Sequence, residues 1–345
     1  MKIIKYLFFL LLILIIGGSA YVAMIDGKFQ LEESRVIDAP DELLFNTVNE
    51  YKTWKKWNPW MDNSDDLILG YGNQTSGNEA SYSWKSETQE DGKMKTVKVA
   101  PFSSIEQKLS IVLPVVDEIT NDVYWNFERL ESNKTKVTWG IKGEQGFMEK
   151  LFWMTKDSTM SESLRPMYKE GLEKLDSYAK EKMKEYSINV DGVTEHQGGF
   201  YMYMATASSI AEISQKTEQM ILSVVSYVQQ NKLPQTGMPF TLYNEYNEAQ
   251  GTAIYSTGVP IREEVITPSD SNILCSSLPK QRVVKITLNG DYINLKEAWE
   301  TGYKYIDQNG LEANPESSAF EVYRSNATLQ PNPAAWITEI YIPIK

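Results

Sequence analysis

One carboxylate sits in a local sequence that ought to bury it. Glu321 lies in Phe320-Glu321-Val322-Tyr323, a run of strand-forming residues. A carboxylate in such a strand is costly unless it is paired or hydrogen-bonded. Strand alternation sends Glu321 and Tyr323 to one face, and Phe320 and Val322 to the other. If the Glu321 face borders a cleft, an organic cation would partner the acid, and aromatic faces would add cation–π attraction. Trp299, Tyr243, Tyr292, Tyr323 and Trp336 are the available aromatics. Glu321 could instead serve as a general base or nucleophile, its pKa placed by burial and neighbours. The blander alternatives are a solvent-exposed Glu on a half-buried sheet and plain core packing for each aromatic.

The segment around Glu321 is one copy of an internal repeat. Tyr227-Val228-Gln229-Gln230-Asn231-Lys232-Leu233, followed by Phe240-Thr241-Leu242-Tyr243, matches Tyr305-Ile306-Asp307-Gln308-Asn309-Gly310-Leu311, followed by Phe320-Glu321-Val322-Tyr323. Each copy starts at the end of a helical segment, about 209–230 and 295–308, and passes through a Pro/Gly-bearing loop into a strand. A last pair of strands, 252–259 and 336–344, matches less well. Two copies of a strand–helix–strand–strand unit are a duplication, not a solenoid. The repeat partner of Glu321 is Thr241. A residue that breaks an internal symmetry is a better functional candidate than one that keeps it.

Other chemistry has little to build on. Cys275 is the only cysteine, so no intramolecular disulfide forms. His196 is the only histidine, which removes most zinc constellations and leaves a Ser–His–Asp triad a single candidate base. The segment around His196 holds no G-x-S-x-G elbow, and a surface or strand-start role is expected for it. The chain has no Walker A motif and no Rossmann glycine fingerprint, so no cofactor and no metal are expected. Net charge is −12, with the acidity spread over both halves. Phosphate backbones would be repelled, so nucleic acid is not an expected partner.

Lys2 and Lys5 precede residues 6–25, which carry no charged side chain. About 20 residues at roughly 1.5 Å each cross a hydrocarbon core. Two readings compete. A signal peptide would be cleaved near Gly17-Gly18-Ser19-Ala20. An anchor uses Tyr21-Val22-Ala23-Met24-Ile25 to prolong the apolar run, and it is the expected one. Both place the bulk of the chain outside the cytoplasm, since basic residues precede the helix.

Residues 26–185 form the first soluble domain. A strand at 29–37 leads into Asp38-Ala39-Pro40-Asp41-Glu42, which has helix-start chemistry. Strands are expected at 67–71, 80–87, 94–99, 104–113, 123–131 and 136–142, with turns at Asp91-Gly92 and Ser132-Asn133. A long helix closes the domain. Its apolar stripe runs from Met160 to Met183, and Pro166 kinks it or marks its start. Arg35-Val36-Ile37-Asp38-Ala39-Pro40-Asp41-Glu42-Leu43-Leu44-Phe45 and Trp54-x-x-Trp57-x-Pro59-Trp60 resemble the START-like superfamily, also called SRPBCC or polyketide-cyclase-like. The resemblance implies a helix-grip fold, a curved sheet around a helix. Its aromatic and Met side chains either line an apolar ligand cavity or fill it as core.

Residues 186–345 form the second domain. Gly290-x-Tyr292, Leu295-x-x-Ala298-Trp299, Tyr305-Ile306-x-x-Asn309-Gly310, Phe320-Glu321-Val322-Tyr323, Ile340-Tyr341-Ile342-Pro343 and Val259-Pro260-Ile261 resemble the GyrI-like family. That family is also described as the effector-binding domain of bacterial transcription activators. The resemblance implies two βαββ units with a ligand cleft between them, and a buried Glu that meets cationic aromatic ligands at the place of Glu321. Members often carry a His shortly before the Gly-x-Tyr element; here the run is Thr287-Leu288-Asn289-Gly290. No helix-turn-helix segment accompanies the domain.

The expected protein is α+β: an N-terminal transmembrane helix (1–25), a START-like helix-grip domain and a duplicated βαββ GyrI-like domain. It is a single-pass bacterial membrane protein with its soluble domains outside the cytoplasm. It binds a small apolar or amphipathic ligand, of which a cationic aromatic is one type, through Glu321, Tyr323, Trp299, Tyr292, Trp336 and Tyr243. Two alternatives stand beside this: a small-molecule hydrolase using Glu321, and an envelope interaction module without a small ligand.

Overall fold

The computed structural model describes residues 2–62, 66–113, 116–131, 133–325 and 330–345. The chain divides into two compact units, Met1–Lys182 and Met183–Lys345.

The first unit opens with one N-terminal apolar helix, α1 (Lys2–Met24). Its stretch Ile4–Met24 is long and apolar enough to cross a membrane. Then come β1 (Lys28–Ile37), α2 (Asp41–Asn49), α3 (Pro59–Asp62), β2 (Ile68–Tyr71), β3 (Ser81–Lys85), β4 (Gly92–Ala100), β5 (Ser104–Leu113), β6 (Val116–Glu131) and β7 (Lys134–Glu144). They build one antiparallel sheet in the order β1-β7-β6-β5-β4-β3-β2. One short helix, α4 (Phe147–Met154), separates β7 from the sheet-covering helix, α5 (Met160–Met183).

Two local expectations need correction, and one helix was not expected. Asp91-Gly92 is not a two-residue turn. Residues 86–91 connect β3 to β4, organised by Asp66, whose carboxylate accepts from Ser86 Oγ at 2.8 Å and the Glu87 amide at 2.6 Å. Those bonds, Ser86 first, hold the Asp66 carboxyl below its usual range. Pro166 lies inside α5 and not at its start. The helix begins at Met160 because Thr159 and Glu162 form a reciprocal cap: the Thr159 amide donates to Glu162 Oε2 at 2.8 Å, and the Glu162 amide donates to Thr159 Oγ1 at 3.3 Å. Finally, α4 was not anticipated. Of the Ser132-Asn133 turn, Ser132 lies outside the described residues.

Aromatic side chains occupy the space between this sheet and α5. Trp125 stacks on Trp139 at 4.4 Å, and Trp139 on Tyr168 of α5 at 4.1 Å. Trp54 and Trp57 pack edge-on against Trp125. All five are fully buried. Gly171 of α5 permits the approach: a Cβ there would lie 2.6 Å from the Trp139 ring. These residues act as core.

The second unit contains β8 (Ser187–His196), β9 (Gly199–Ser209), α6 (Ile213–Gln230), β10 (Phe240–Asn247), β11 (Thr252–Pro260), β12 (Leu274–Leu278), β13 (Gln281–Asn289), α7 (Leu295–Gln308), β14 (Ala319–Tyr323) and β15 (Ile337–Pro343). The sheet is antiparallel with order β12-β9-β11-β10-β14-β15-β13-β8. The duplication is plain: β9-α6-β10-β11 repeats as β13-α7-β14-β15. Edge strands β8 and β12 are added outside it, and β12 had no counterpart in the sequence reading. The first helix starts later than expected, because β9 runs through Ser209 and a 3-10 turn, Ile210–Glu212, intervenes.

The two copies meet at β10 and β14. Phe240 faces Val322, Thr241 faces Glu321, and Leu242 faces Phe320. A local two-fold axis therefore passes between Thr241 and Glu321. Glu321 and its repeat counterpart Thr241 are thus direct cross-strand partners.

Candidate functional site

Glu321 occupies the middle of β14, between Thr241 of β10 and Ile340 of β15. Ile340 packs beneath α7 with Ile286, Ala298 and Ile306, so Glu321 is on the helix-covered face. Phe320 and Val322 join Phe240, Leu242 and Tyr341 on the other face. The alternation expected from the sequence is observed, but both faces are buried, and Glu321 itself is 2% exposed.

Three side chains donate to the carboxylate. Trp299 Nε1 reaches Oε1 at 2.6 Å. Tyr323 and Tyr243 hydroxyls reach Oε2 at 2.9 and 3.2 Å. Each donor has its own local cause. Tyr323 shares the strand face two residues on. Tyr243 comes from β10, just before a register shift between Tyr243 and Glu245; a bulge of this kind re-aims neighbouring side chains. Trp299 comes from α7, which lies close to the sheet because Gly302 has no Cβ. One there would sit 2.6 Å from Ile286 and 2.7 Å from Ile342.

Among the described residues, all partners of Glu321 are neutral. Burial therefore dominates and raises the carboxyl above its usual range, against the lowering effect of the three donors. Burial, then the Glu321 charge, pushes both tyrosine hydroxyls well up, so they stay protonated and donate.

Tyr292 and Trp336 form an outer pair. Their rings are 4.7 Å apart, and Tyr292 packs edge-on to Tyr323 at 5.7 Å. Burial and the nearby Glu321 raise the Tyr292 hydroxyl to about 12. The Trp336 indole donates to the Gln330 carbonyl at 2.6 Å, not to Glu321. Of the six residues named from sequence, three bond within one cluster around the Glu321 carboxylate and two stack one layer out. Tyr303 was missed: it stacks on Trp299 with ring centres 6.2 Å apart. Its position four residues after Trp299 on a helix was the available signal. Tyr246, 6.1 Å from Tyr243, was also missed; the bulge hides it from simple alternation.

His196 and Cys275 are apart from this cluster. His196 ends β8, its ring edge-on to Phe320 at 4.8 Å on the sheet face away from Glu321. Its Nδ1 accepts from the Gly198 amide, and burial followed by the Arg324 charge lowers its pKa. Cys275 Sγ accepts from the Val265 amide. Two concave regions stand out, and neither opens onto Glu321. One of about 570 Å³ lies in the first unit beside Lys28, Asp122 and Lys142. The other, about 240 Å³, lies beside His196, Phe320 and Arg324. The chemistry favours the Glu321 cluster over either hollow, because there three polar groups converge on one buried carboxylate that has no charged partner among the described residues.

No curated protein matches the chain. Among solved structures, it is similar to the C-terminal domain of EcmrR at 18% identity, covering 46% of this chain and 98% of that one, with a TM-score of 0.40. It is also similar to the Aha1 dimer from Colwellia psychrerythraea (12% identity, 44% and 96% covered, TM-score 0.32). KanY shows a comparable likeness (14% identity, 45% and 99% covered, TM-score 0.31). The model of the GyrI-like small molecule binding domain matches residues 182–345. The stretch that this model matches is the one that carries the duplicated βαββ sheet and the buried Glu321.

Proposed function

We propose that the second unit binds a small aromatic cation over Glu321, and that α1 anchors the chain in a membrane with both units outside the cytoplasm. We read the first unit as START-like, its helix grip closed around an aromatic core. The observation that carries the binding role is the buried carboxylate held only by neutral donors. A cation supplies the counter-charge that burial leaves wanting. Trp299 and Tyr243 are half-buried, so rotation of the indole opens Oε1 from the surface. The displaced aromatics then offer their faces to the ligand.

Calorimetric titration of the full chain in detergent tests this, using an aromatic quaternary ammonium and its neutral isostere. A hydrogen bond or contact to a charged group contributes about 1.5–3 kcal/mol. Glu321→Gln should weaken the cation by roughly 10- to 100-fold, since 1.4 kcal/mol is tenfold, and the neutral ligand much less. Affinity for the cation should rise with pH through the folded-state pKa of Glu321, because only the ionised form attracts it. Equal losses for both ligands would mean that Glu321 shapes the pocket without reading charge. No binding by any aromatic cation in a broad native mass spectrometry screen would refute the role.

A further inference from the structure

Helix α4 presents an apolar face to its surroundings. Phe147, Met148, Leu151, Phe152 and Met154 are each between 42% and 52% exposed. The first four fall at i, i+1, i+4 and i+5, one side of the helix. Such a contiguous patch is rarely left to water. The opposite side is tied down: Glu149 is buried and accepts from the Gly146 amide at 2.8 Å, closing the helix start.

The place of α4 says what covers this face. The helix packs against α1, on which Val22 near the end is only 4% exposed. Lys150 Nζ donates to the Ile25 carbonyl at 2.6 Å. The Gln145 amide donates to the Gly27 carbonyl at 2.8 Å. A Cβ on Gly27 would lie 2.5 Å from the Gln145 carbonyl oxygen, so the junction is tight. Val22 precedes the end of α1, Met24, by two residues, roughly 3 Å along the axis. That places α4 at the level of the end of the apolar span, where amphipathic helices seat in a bilayer surface.

We infer that α4 is a second membrane contact, lying in the plane of the bilayer at the foot of α1 with its Phe, Met and Leu side chains among the acyl chains. This rests on the anchor reading of α1. Nearby charges are of both signs, with Lys28, Lys142, Lys150 and Lys156 set against Asp26, Asp122 and Glu144. Apolar burial, not headgroup charge, therefore drives the contact, and zwitterionic phosphatidylcholine suffices. The Lys156 ammonium lies 4.8 Å from the centre of the Phe152 ring, so a cation sits against the apolar face of α4. With both contacts made, α1 is no longer a free tether, and the first unit is held in one orientation to the membrane.

The test uses the full chain at one copy per phosphatidylcholine nanodisc, in a Cys275→Ser background. A nitrobenzoxadiazole label is placed at Leu151→Cys, or at Leu10→Cys within α1. Both positions are exposed, so the labels do not disturb packing. The Leu151 label should be quenched by lipids brominated near the headgroup end of the acyl chain. It should also resist aqueous dithionite, and neither result should change with added salt. A protected Leu10 label with a freely reduced Leu151 label overturns the inference and leaves the anchor intact. A freely reduced Leu10 label means that the anchor reading itself fails, and the inference with it. A Leu151 label shielded from dithionite but unquenched by bromolipid means that protein covers α4, which also overturns the inference.

Discussion

Replacing Glu321 by Gln and by Ala separates the charge of the site from its hydrogen bonds. In Ala, three donors lose their acceptor. The Trp299 indole N–H can only donate, and both tyrosine hydroxyls lose the same carboxylate oxygen. Each stranded donor costs about 1–3 kcal/mol. At the low end of that range, the three together weaken the centre of the sheet roughly 100-fold. Gln behaves differently. Its oxygen takes the place of Oε1 under Trp299, and its amide donates to the two tyrosine oxygens, which accept as readily as they donate.

Gln also removes a buried charge, and the sign of that effect follows from the raised carboxyl. Between the unfolded and folded pKa values the folded state binds the extra proton, so wild-type stability falls as pH rises. The penalty is absent below the unfolded value and complete above the folded one. Each unit of separation is worth about 1.4 kcal/mol. Hydrogen exchange of the β10 and β14 amides in the full chain reads this locally. The ratio of variant to wild-type rates at each pH cancels the intrinsic pH dependence. Ala should exchange roughly 100-fold faster than wild type. Gln should exchange more slowly above the folded pKa, with its advantage vanishing towards acid pH. If Gln loosens the strands as much as Ala, or its advantage is flat with pH, Glu321 is not a buried, charge-strained acid.

Three further outcomes are expected. Gly171→Ala should destabilise the first unit by about 1–3 kcal/mol, because the new Cβ overlaps the Trp139 ring; a lower urea midpoint by tryptophan fluorescence is the readout, and an unchanged midpoint would show that the ring yields freely. Residues 186–345 alone should melt cooperatively by circular dichroism, since their sheet and helices bury a core of their own; an unfolded fragment would mean that the two halves share a core. Protease added to intact spheroplasts should digest the soluble units, and full protection of residues 26–345 would refute the proposed topology.

Short-range pattern was legible in this chain without coordinates. The uncharged run that becomes α1, the duplication, the strand holding Glu321 and its shared face with Tyr323 all follow from local periodicity. So does the long α5 stripe, since 2.0- and 3.6-residue periods need no knowledge of distant segments. The capping pair Thr159 and Glu162 was also local, though overlooked in favour of Pro166. Tertiary structure alone decided the rest. Only cross-strand register sets Thr241 opposite Glu321 on the local two-fold axis. Only the close seating of α7 over Gly302 brings the Trp299 indole to the carboxylate while Trp336 turns to Gln330. Only the fold places α4 against the end of α1, leaving its apolar face outward. These are contacts between residues tens to more than a hundred positions apart. They are fixed by packing and by the need to satisfy buried polar groups, which no local period encodes.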